Sequence, residues 1–284
     1  MTIFGGQGDI HGSMGLLWRS GGNQRSGETV GRKASLSLDE IVNAGIAIAD
    51  SGGLSALSMR SVGERLGRTA MALYTYVPSK GELVDLMYDH VLAELPTSYE
   101  LASGWRAALM AWARDLCEFY ILHPWVLQIS SARPVLGPNE YSSLNTVLTI
   151  LFQAKLEPSL IRRIVGLLFH CVRGSAQTIS EVRMAPAATG VTDERWWADH
   201  SAALIEVAPN FGERYPMVMR LEAESNQGHD AVSISDPGLP HLEREARETF
   251  SVGLKVILDG LELATTRQNP LSCEEVAAPR TFSG

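Results

Sequence analysis

Between Ser58 and Lys80 the chain reads SMRSVGERLGRTAMALYTYVPSK, and these are the side chains best suited to act on another molecule. Arg60, Arg65, Arg68 and Lys80 stand there against Glu64 alone, inside a chain whose formal net charge is −8. A positive element in an acidic protein points to a negatively charged partner. Tyr74 and Tyr76 add phenolic donors that can hydrogen-bond a phosphate oxygen. Arginine is the usual bidentate partner of a guanine edge, and a lysine at a helix start strengthens a local anion site. This is the chemistry of recognition, not of turnover. The rest of the chain offers no nucleophile–base constellation, no phosphate-cradling glycine loop and no metal-ligand spacing. His123 or His170 can be paired on paper with Cys117 or Cys171, but both cysteines lie in apolar helical stretches. No enzyme activity, cofactor or metal is expected.

The elements that must hold these residues follow from the spacing around them. Ser58 is a good N-cap, and Met59, Val62 and Leu66 recur at helical spacing. Gly67 follows the last apolar position, as at a helix C-terminus. A second helix opens at Thr69 and ends before Pro78, because the residue preceding a proline is pushed out of the helical region. Two short helices around a glycine-containing turn predict a helix-turn-helix. Upstream, Ser37-Leu38-Asp39-Glu40 forms a capping box for a helix with Ile41, Ala44, Gly45, Ile48 and Ala49 on its apolar face, stopped by Gly52-Gly53. Downstream, Ser79–Glu82 is a second capping box, for a helix that carries Leu83, Leu86, Met87, Val91 and Leu95 and ends at Pro96. Residues 37–95 thus read as one compact unit of four helices.

At 284 residues, 45% apolar and 20% charged, the chain is long enough for one large domain or two smaller ones and should bury a sizeable core. A pI near 5.4 excludes a protein basic all over but leaves room for a local binding face. Three cysteines, Cys117, Cys171 and Cys273, with no apparent signal peptide, fit a reduced cytoplasmic protein. No apolar run reaches the roughly 18 residues that span a bilayer, so no membrane partner is expected.

Residues 1–36 are rich in Gly and Ser and read as a flexible, mildly basic arm. MGLLWR at 14–19 is its only apolar island. Arg32 and Lys33 lie nearest the folded part and are the candidates for reaching a DNA minor groove or nearby phosphates. After residue 97 the pattern stays helical: Trp105–Leu122, a break at His123-Pro124-Trp125, a shorter segment to Ser131, then Asn139–Ala154. A long helix runs from Pro158 to about Arg183, a loop covers Pro186–Thr192, and a helix with Trp196-Trp197 covers Glu194–Val207. Ser225–Pro240 reads as a mobile loop, His241–Ala264 as the last helix, and 265–284 as a flexible tail. No alternating strand pattern of useful length occurs, so the fold class is all-α.

Residues 37–95 resemble the DNA-binding domain of tetracycline-repressor-type (TetR) regulators. The resemblance rests on Leu57–Gly67, on Ala72-Leu73-Tyr74-Thr75-Tyr76-Val77, and on Lys80 and Leu83. Trp105-Arg106, His123-Pro124-Trp125 and the run from Phe250 to Glu262 are similar to the ligand-binding domain of the branch that holds the tetracycline repressor and actinobacterial antibiotic-export regulators. The resemblance implies that the second short helix enters the major groove of double-stranded DNA. Thr69, Ala70, Met71, Ala72 and Thr75 would then face the DNA. Tyr74, Tyr76 and Lys80 match family positions that bind phosphate, and Arg60 matches one that reaches a base edge. Arg68, at the turn, is a further phosphate candidate. Ala70, Met71 and Ala72 offer no side-chain hydrogen bonds, so thymine methyl contacts and DNA shape should carry much of the discrimination.

The resemblance also implies a homodimer reading two half-sites about 34–36 Å apart or multiples of that. The dimer surface would be the helices Pro158–Arg183 and His241–Ala264, where Gly166, Gly174, Gly253 and Gly260 allow close approach. The remainder of 97–264 would enclose an effector pocket. Trp112, Phe119, Phe169, Trp196 and Trp197 are its apolar candidates; His123, His170, Arg173 and Gln177 are its polar ones. Such a pocket suits an apolar, polyketide-like or drug-like small molecule. The expected function is a ligand-released repressor, of an efflux pump or of biosynthetic genes. Two alternatives stay open: an activator, and a regulator answering to a protein partner or to no ligand.

Overall fold

The computed structural model describes residues 4–6, 8–19, 36–225 and 239–268. Among them every regular element is helical. The capping box at Ser37 forms as the sequence predicts: Ser37 accepts from the Glu40 backbone and Glu40 bonds back. It starts α2 (Leu38–Ala56), which continues past Gly52-Gly53 across a kink at Gly53, where φ is +69°. Only the kink, and not the expected stop, falls at the glycine pair. Next come α3 (Met59–Leu66), α4 (Ala70–Tyr74) and α5 (Lys80–Leu92). Ile41, Val62, Leu73, Val77, Leu83 and Met87 have no more than a trace of exposure and form the core beneath these helices.

Before them lies a helix that the composition hid. α1 (Ile10–Leu17) is capped by Asp9, whose carboxylate accepts from Gly12 N at 2.7 Å. Ser13 and Leu17 are buried. The expectation of a flexible arm over 1–36 therefore fails for this part, because its apolar island packs on α5. Arg32 and Lys33 lie outside the described residues.

α6 (Trp105–Leu122), a 3-10 turn at Pro124–Gln128 and α7 (Pro138–Phe152) follow, and α2 and α5 pack directly on the turn and on α7. α8 spans Pro158–Thr189 with Pro186 inside it. A proline forfeits one helical hydrogen bond, which made 186–192 look like a loop. The flanking alanines favour helix strongly enough to carry it to Thr189, and Gly190, at φ +73°, ends it. α9 (Asp193–Val207), α10 (Phe211–Arg214), α11 (Pro216–Ser225) and α12 (His241–Gln268) complete the chain. The stretches 226–238 and 269–284, expected to be loop and tail, lie outside the described residues.

The chain divides into two compact units. One runs through Arg173 and resumes at Leu258; the other is Gly174–Ile257. Helices α2–α5 thus share a unit with α6, α7 and the first half of α8. Within that unit Arg106 on α6 bonds Asp259 and Glu262 on α12. Within the other, buried Glu243 binds Arg183 and Arg247, and their hydrogen bonds, Arg183 first, hold its carboxyl below the usual range. No described helix is long and apolar enough to cross a membrane.

Candidate nucleic-acid interface and effector cavity

The helix-turn-helix is set by two glycines. Gly67 closes α3 in the left-handed region, at φ +63°, and its N–H and that of Arg68 return to the carbonyls of Glu64 and Gly63. Gly63 lies where α3 meets the turn: a Cβ there would come 2.7 Å from the Arg68 carbonyl oxygen and 3.3 Å from Ala70 N. Only hydrogen fits, and α4 is held close against α3 for that reason.

α4 then divides as its sequence suggests. Leu73 and Val77 are fully buried, whereas Met71 is 74% exposed. Tyr74 and Tyr76 also stand in solvent. Large apolar and aromatic groups held out on a rigid short helix mark a contact surface. Thr69 accepts from Ala72 N, and the Thr75 hydroxyl donates to the Ala72 carbonyl at 2.7 Å, so both hydroxyls are engaged in holding α4. Ala70 and Ala72 are half-buried beside Met71. Arg60 donates to Glu64 one turn on, at 2.8 Å, and both are strongly exposed. Such a pair is weak and leaves the guanidinium free to swing to another acceptor. Arg68 is exposed at the turn. Lys80 Nζ donates to the Leu54 carbonyl at 3.1 Å, tying α5 to the end of α2. An ammonium has three donors, so two remain.

The same unit holds a cavity of about 450 Å³. α5 contributes Tyr88 and Leu92, α6 Leu116 and Tyr120, α7 Glu140, Tyr141 and Leu144, and α8 Phe169, His170 and Arg173; the 129–136 segment forms its rim. Its walls are mostly apolar with a few fixed polar groups, the usual make-up of a small-molecule site. Glu140 accepts from Leu136 N at 2.6 Å and from the Tyr88 hydroxyl at 3.3 Å. Burial raises its pKa despite these bonds, and burial also raises that of the Tyr88 phenol. Arg173 donates to the carbonyls of Leu127 and Ile129 and lies 5.8 Å over the Tyr120 ring, so it shapes the rim more than it waits for a ligand.

Of the nine residues expected at the pocket, Phe169, His170 and Arg173 line this cavity and six do not. Trp112 is buried behind the wall, edge-on to Phe169 with centroids 5.3 Å apart. Phe119 packs between Tyr120 and His123. His123 is buried with Nδ1 2.7 Å from Asp50 Oδ1 and Nε2 3.1 Å from Glu94 Oε2. Trp125 Nε1 also donates to Asp50, so this cluster joins α2 to the turn after α6. Gln177 bonds Glu181 on its own helix. Trp196 and Trp197 stand on α9, about half exposed and edge-on to each other, with His200 stacked on Trp196. Sequence reasoning missed Tyr88, Tyr120, Arg133, Glu140 and Tyr141. The one signal for Glu140 was a carboxylate in the first turn after Gly137-Pro138. Among the described residues no group of three or more His, Cys, Asp or Glu side chains could hold a metal ion.

Residues 100–265 match the tetracycline repressor-like C-terminal domain. The chain is 36% identical over 269 residues to the HTH-type transcriptional repressor DrrR1 of Streptomyces coeruleorubidus, covering 94% of this chain and 91% of that one. Among solved structures it is similar to apo ActR from Streptomyces coelicolor (24% identity, 84% of this chain, all of the other, TM-score 0.64). It is likewise similar to ActR in complex with actinorhodin (25% identity, 81% of this chain, 96% of the other, TM-score 0.61). With a helix-turn-helix at one end of α5 and an apolar cavity beside the other, the chain belongs to the tetracycline-repressor family of DNA-binding transcriptional regulators.

Proposed function

We propose that this protein is a homodimeric repressor that binds a palindromic operator and is released when an aromatic, polyketide-like molecule fills the cavity. The observation that carries the reading is the placement of α5. Its N-terminal residue, Lys80, follows the recognition helix, and two to three turns later Tyr88 and Leu92 form part of the cavity wall. A ligand that moves Tyr88 or Leu92 moves a rigid helix whose other end carries the DNA-reading head. Ligand binding shifts the operator-bound state only through its preference for the displaced arrangement. The apolar walls with Tyr88, Tyr120 and Phe169 suit flat aromatic rings, and the ActR complex with actinorhodin supports that class.

The DNA side of the reading assigns base contact to Arg60, apolar groove contact to Ala70, Met71 and Ala72, and phosphate contact to Arg68, Tyr74, Tyr76 and Lys80. Dimerisation through α8 and α12 is supported by Gly174, Gly253 and Gly260, since a Cβ at each would meet nothing within 4 Å, whereas the open space at Gly166 is the cavity that it lines. Those helix faces are open to close approach by a second copy. The regulated genes in this reading encode export or synthesis of the effector. Fluorescence anisotropy of labelled DNA from upstream of the protein's own gene tests it. Tight, salt-sensitive binding that actinorhodin or a related aromatic polyketide reverses is expected. Equal affinity for that DNA and for random DNA would overturn it.

A further inference from the structure

α1 has no place in the reading so far, yet it is built into the molecule at two ends. On one side it is fastened to the N-terminal half of α5. Ser13 Oγ donates to Glu82 Oε1 at 2.8 Å in a buried contact, and Gly6 N donates to Asp85 Oδ2 at 2.9 Å. The turn before α1 lies close against α5: a Cβ on Gly8 would come 2.5 Å from Glu82 Oε1, and one on Gly5 would come 3.0 Å from Asp85 Oδ1, so either would have to push a carboxylate aside. The Gly-rich composition that resembles a loose arm here favours close docking. On its other side the segment holds the cavity rim. Trp18 Nε1 donates to the Leu136 carbonyl at 2.9 Å, and the Trp18 ring packs against Tyr141. The Arg133 guanidinium sits 6.0 Å over the Phe4 ring. Arg133, Leu136 and Tyr141 all line the cavity.

We propose that α1 and the turn before it form an intramolecular brace that couples the effector cavity's rim to the DNA-proximal half of α5. The brace grips α5 at Glu82 and Asp85, two and five residues beyond Lys80 and one to two turns before Tyr88. It grips the rim at Leu136 and Tyr141. A molecule that displaces Leu136 or Tyr141 on entering the cavity must loosen Trp18. The disturbance then passes through Ser13 and Gly6 to the start of α5, along a path separate from the Tyr88–Leu92 wall. The inference rests on the cavity being the effector site.

The brace predicts reciprocal effects, because two sites joined by one element must each report on the other. The probe is the aromatic dye 1-anilinonaphthalene-8-sulfonate; the part of its signal abolished by Leu144→Trp, which fills the cavity, is the cavity-bound part. Backbone hydrogen exchange of the full chain is followed with and without dye for the intact protein, Trp18→Ala, Trp18→Phe and Ser13→Ala. Without dye, Trp18→Ala raises exchange at 133–141 and at 80–86, and Ser13→Ala raises it at 80–86. In the intact protein dye raises exchange at 80–86; in Trp18→Ala and Ser13→Ala it adds little there. The dye binds Trp18→Ala about threefold to tenfold more tightly, the range expected when one hydrogen bond no longer has to be broken. Trp18→Phe, which keeps an aromatic ring but loses the indole N–H, falls between. The proposal is overturned if dye raises exchange at 80–86 equally with and without Trp18. It is overturned also if Trp18→Ala leaves the rim's dye-free exchange unchanged. Absence of any Leu144→Trp-sensitive dye binding would refute the cavity reading instead, while the dye-free comparison still decides whether the brace exists.

Discussion

Gly63→Ala gives a test in which the sign of the effect is diagnostic. In an ordinary helix interior, replacing glycine with alanine stabilises by about 0.5–1 kcal/mol. At Gly63 the new Cβ would lie 2.7 Å from the carbonyl oxygen of Arg68 and 3.3 Å from Ala70 N. Real Cβ atoms essentially never come within 3.0 Å of another heavy atom, and both obstructing atoms are backbone, so no rotamer change relieves them. The turn must back away by several tenths of an ångström, and it carries α4 with it. Overpacking of this kind costs about 1–3 kcal/mol, which outweighs the propensity gain and leaves a net loss of about 1–2 kcal/mol. For a chain of this size each kcal/mol moves Tm by roughly 2–4 °C. Gly63→Ala should therefore melt several degrees lower in differential scanning calorimetry and lose most of its operator affinity. Gly67→Ala is the comparison: it meets no atom within 4 Å but carries φ +63°. It should cost only about 1 kcal/mol. A Gly63→Ala protein as stable as the parent, with unchanged operator affinity, would refute the account of how the turn is held.

Further expectations concern separate parts of the site. Arg60→Ala should relax preference at one operator position and cost roughly 1–3 kcal/mol there, whereas Lys80→Ala should weaken all sequences alike; equal losses on operator and random DNA for both would contradict that division. Asp85 is a buried carboxyl whose pKa is raised to about 6, first by burial, then by Glu82 and Glu140, against the opposing bond from Gly6 N. The folded state thus binds its proton more tightly than the unfolded state does, so stability falls as pH rises from about 4 to about 6 and then levels. Asp85→Asn should flatten that part of the Tm profile and raise Tm at neutral pH, and identical slopes in both proteins would refute it. Glu243→Gln should destabilise, because it leaves Arg183 and Arg247 short of their shared carboxylate; an unchanged Tm would show those bonds to be without consequence.

The DNA-reading half was legible because its signals are local. Ser37, Ser58, Thr69 and Ser79 each cap the helix that the sequence assigns to them, and Leu73 and Val77 turn inward as their spacing requires. The cavity was less legible, since its walls come from four helices and a rim whose pairing no local pattern encodes. Large aromatics drew attention, yet Trp112 and Phe119 serve packing. Trp196 and Trp197 stand exposed on α9. Tyr88 and Glu140 become neighbours only when α5 meets α7. His123 was read as a ligand group because it is polar in an apolar stretch; Asp50 and Glu94, far away in sequence, already occupy both its nitrogens. α1 was missed for the opposite reason: Gly5 and Gly8, which suggest a loose chain, lie close against the Asp85 and Glu82 carboxylates of α5.

The account's central claim is that filling the cavity lowers operator affinity through α5. It is tested most directly by the ratio of operator dissociation constants with and without a saturating aromatic polyketide such as actinorhodin, measured in the intact protein and in Leu144→Trp. The account predicts a ratio of at least about tenfold, the scale of an ordinary allosteric coupling, in the intact protein and a ratio near one in Leu144→Trp. An unchanged operator affinity in the intact protein despite bound ligand, or the same large ratio in Leu144→Trp, would contradict it.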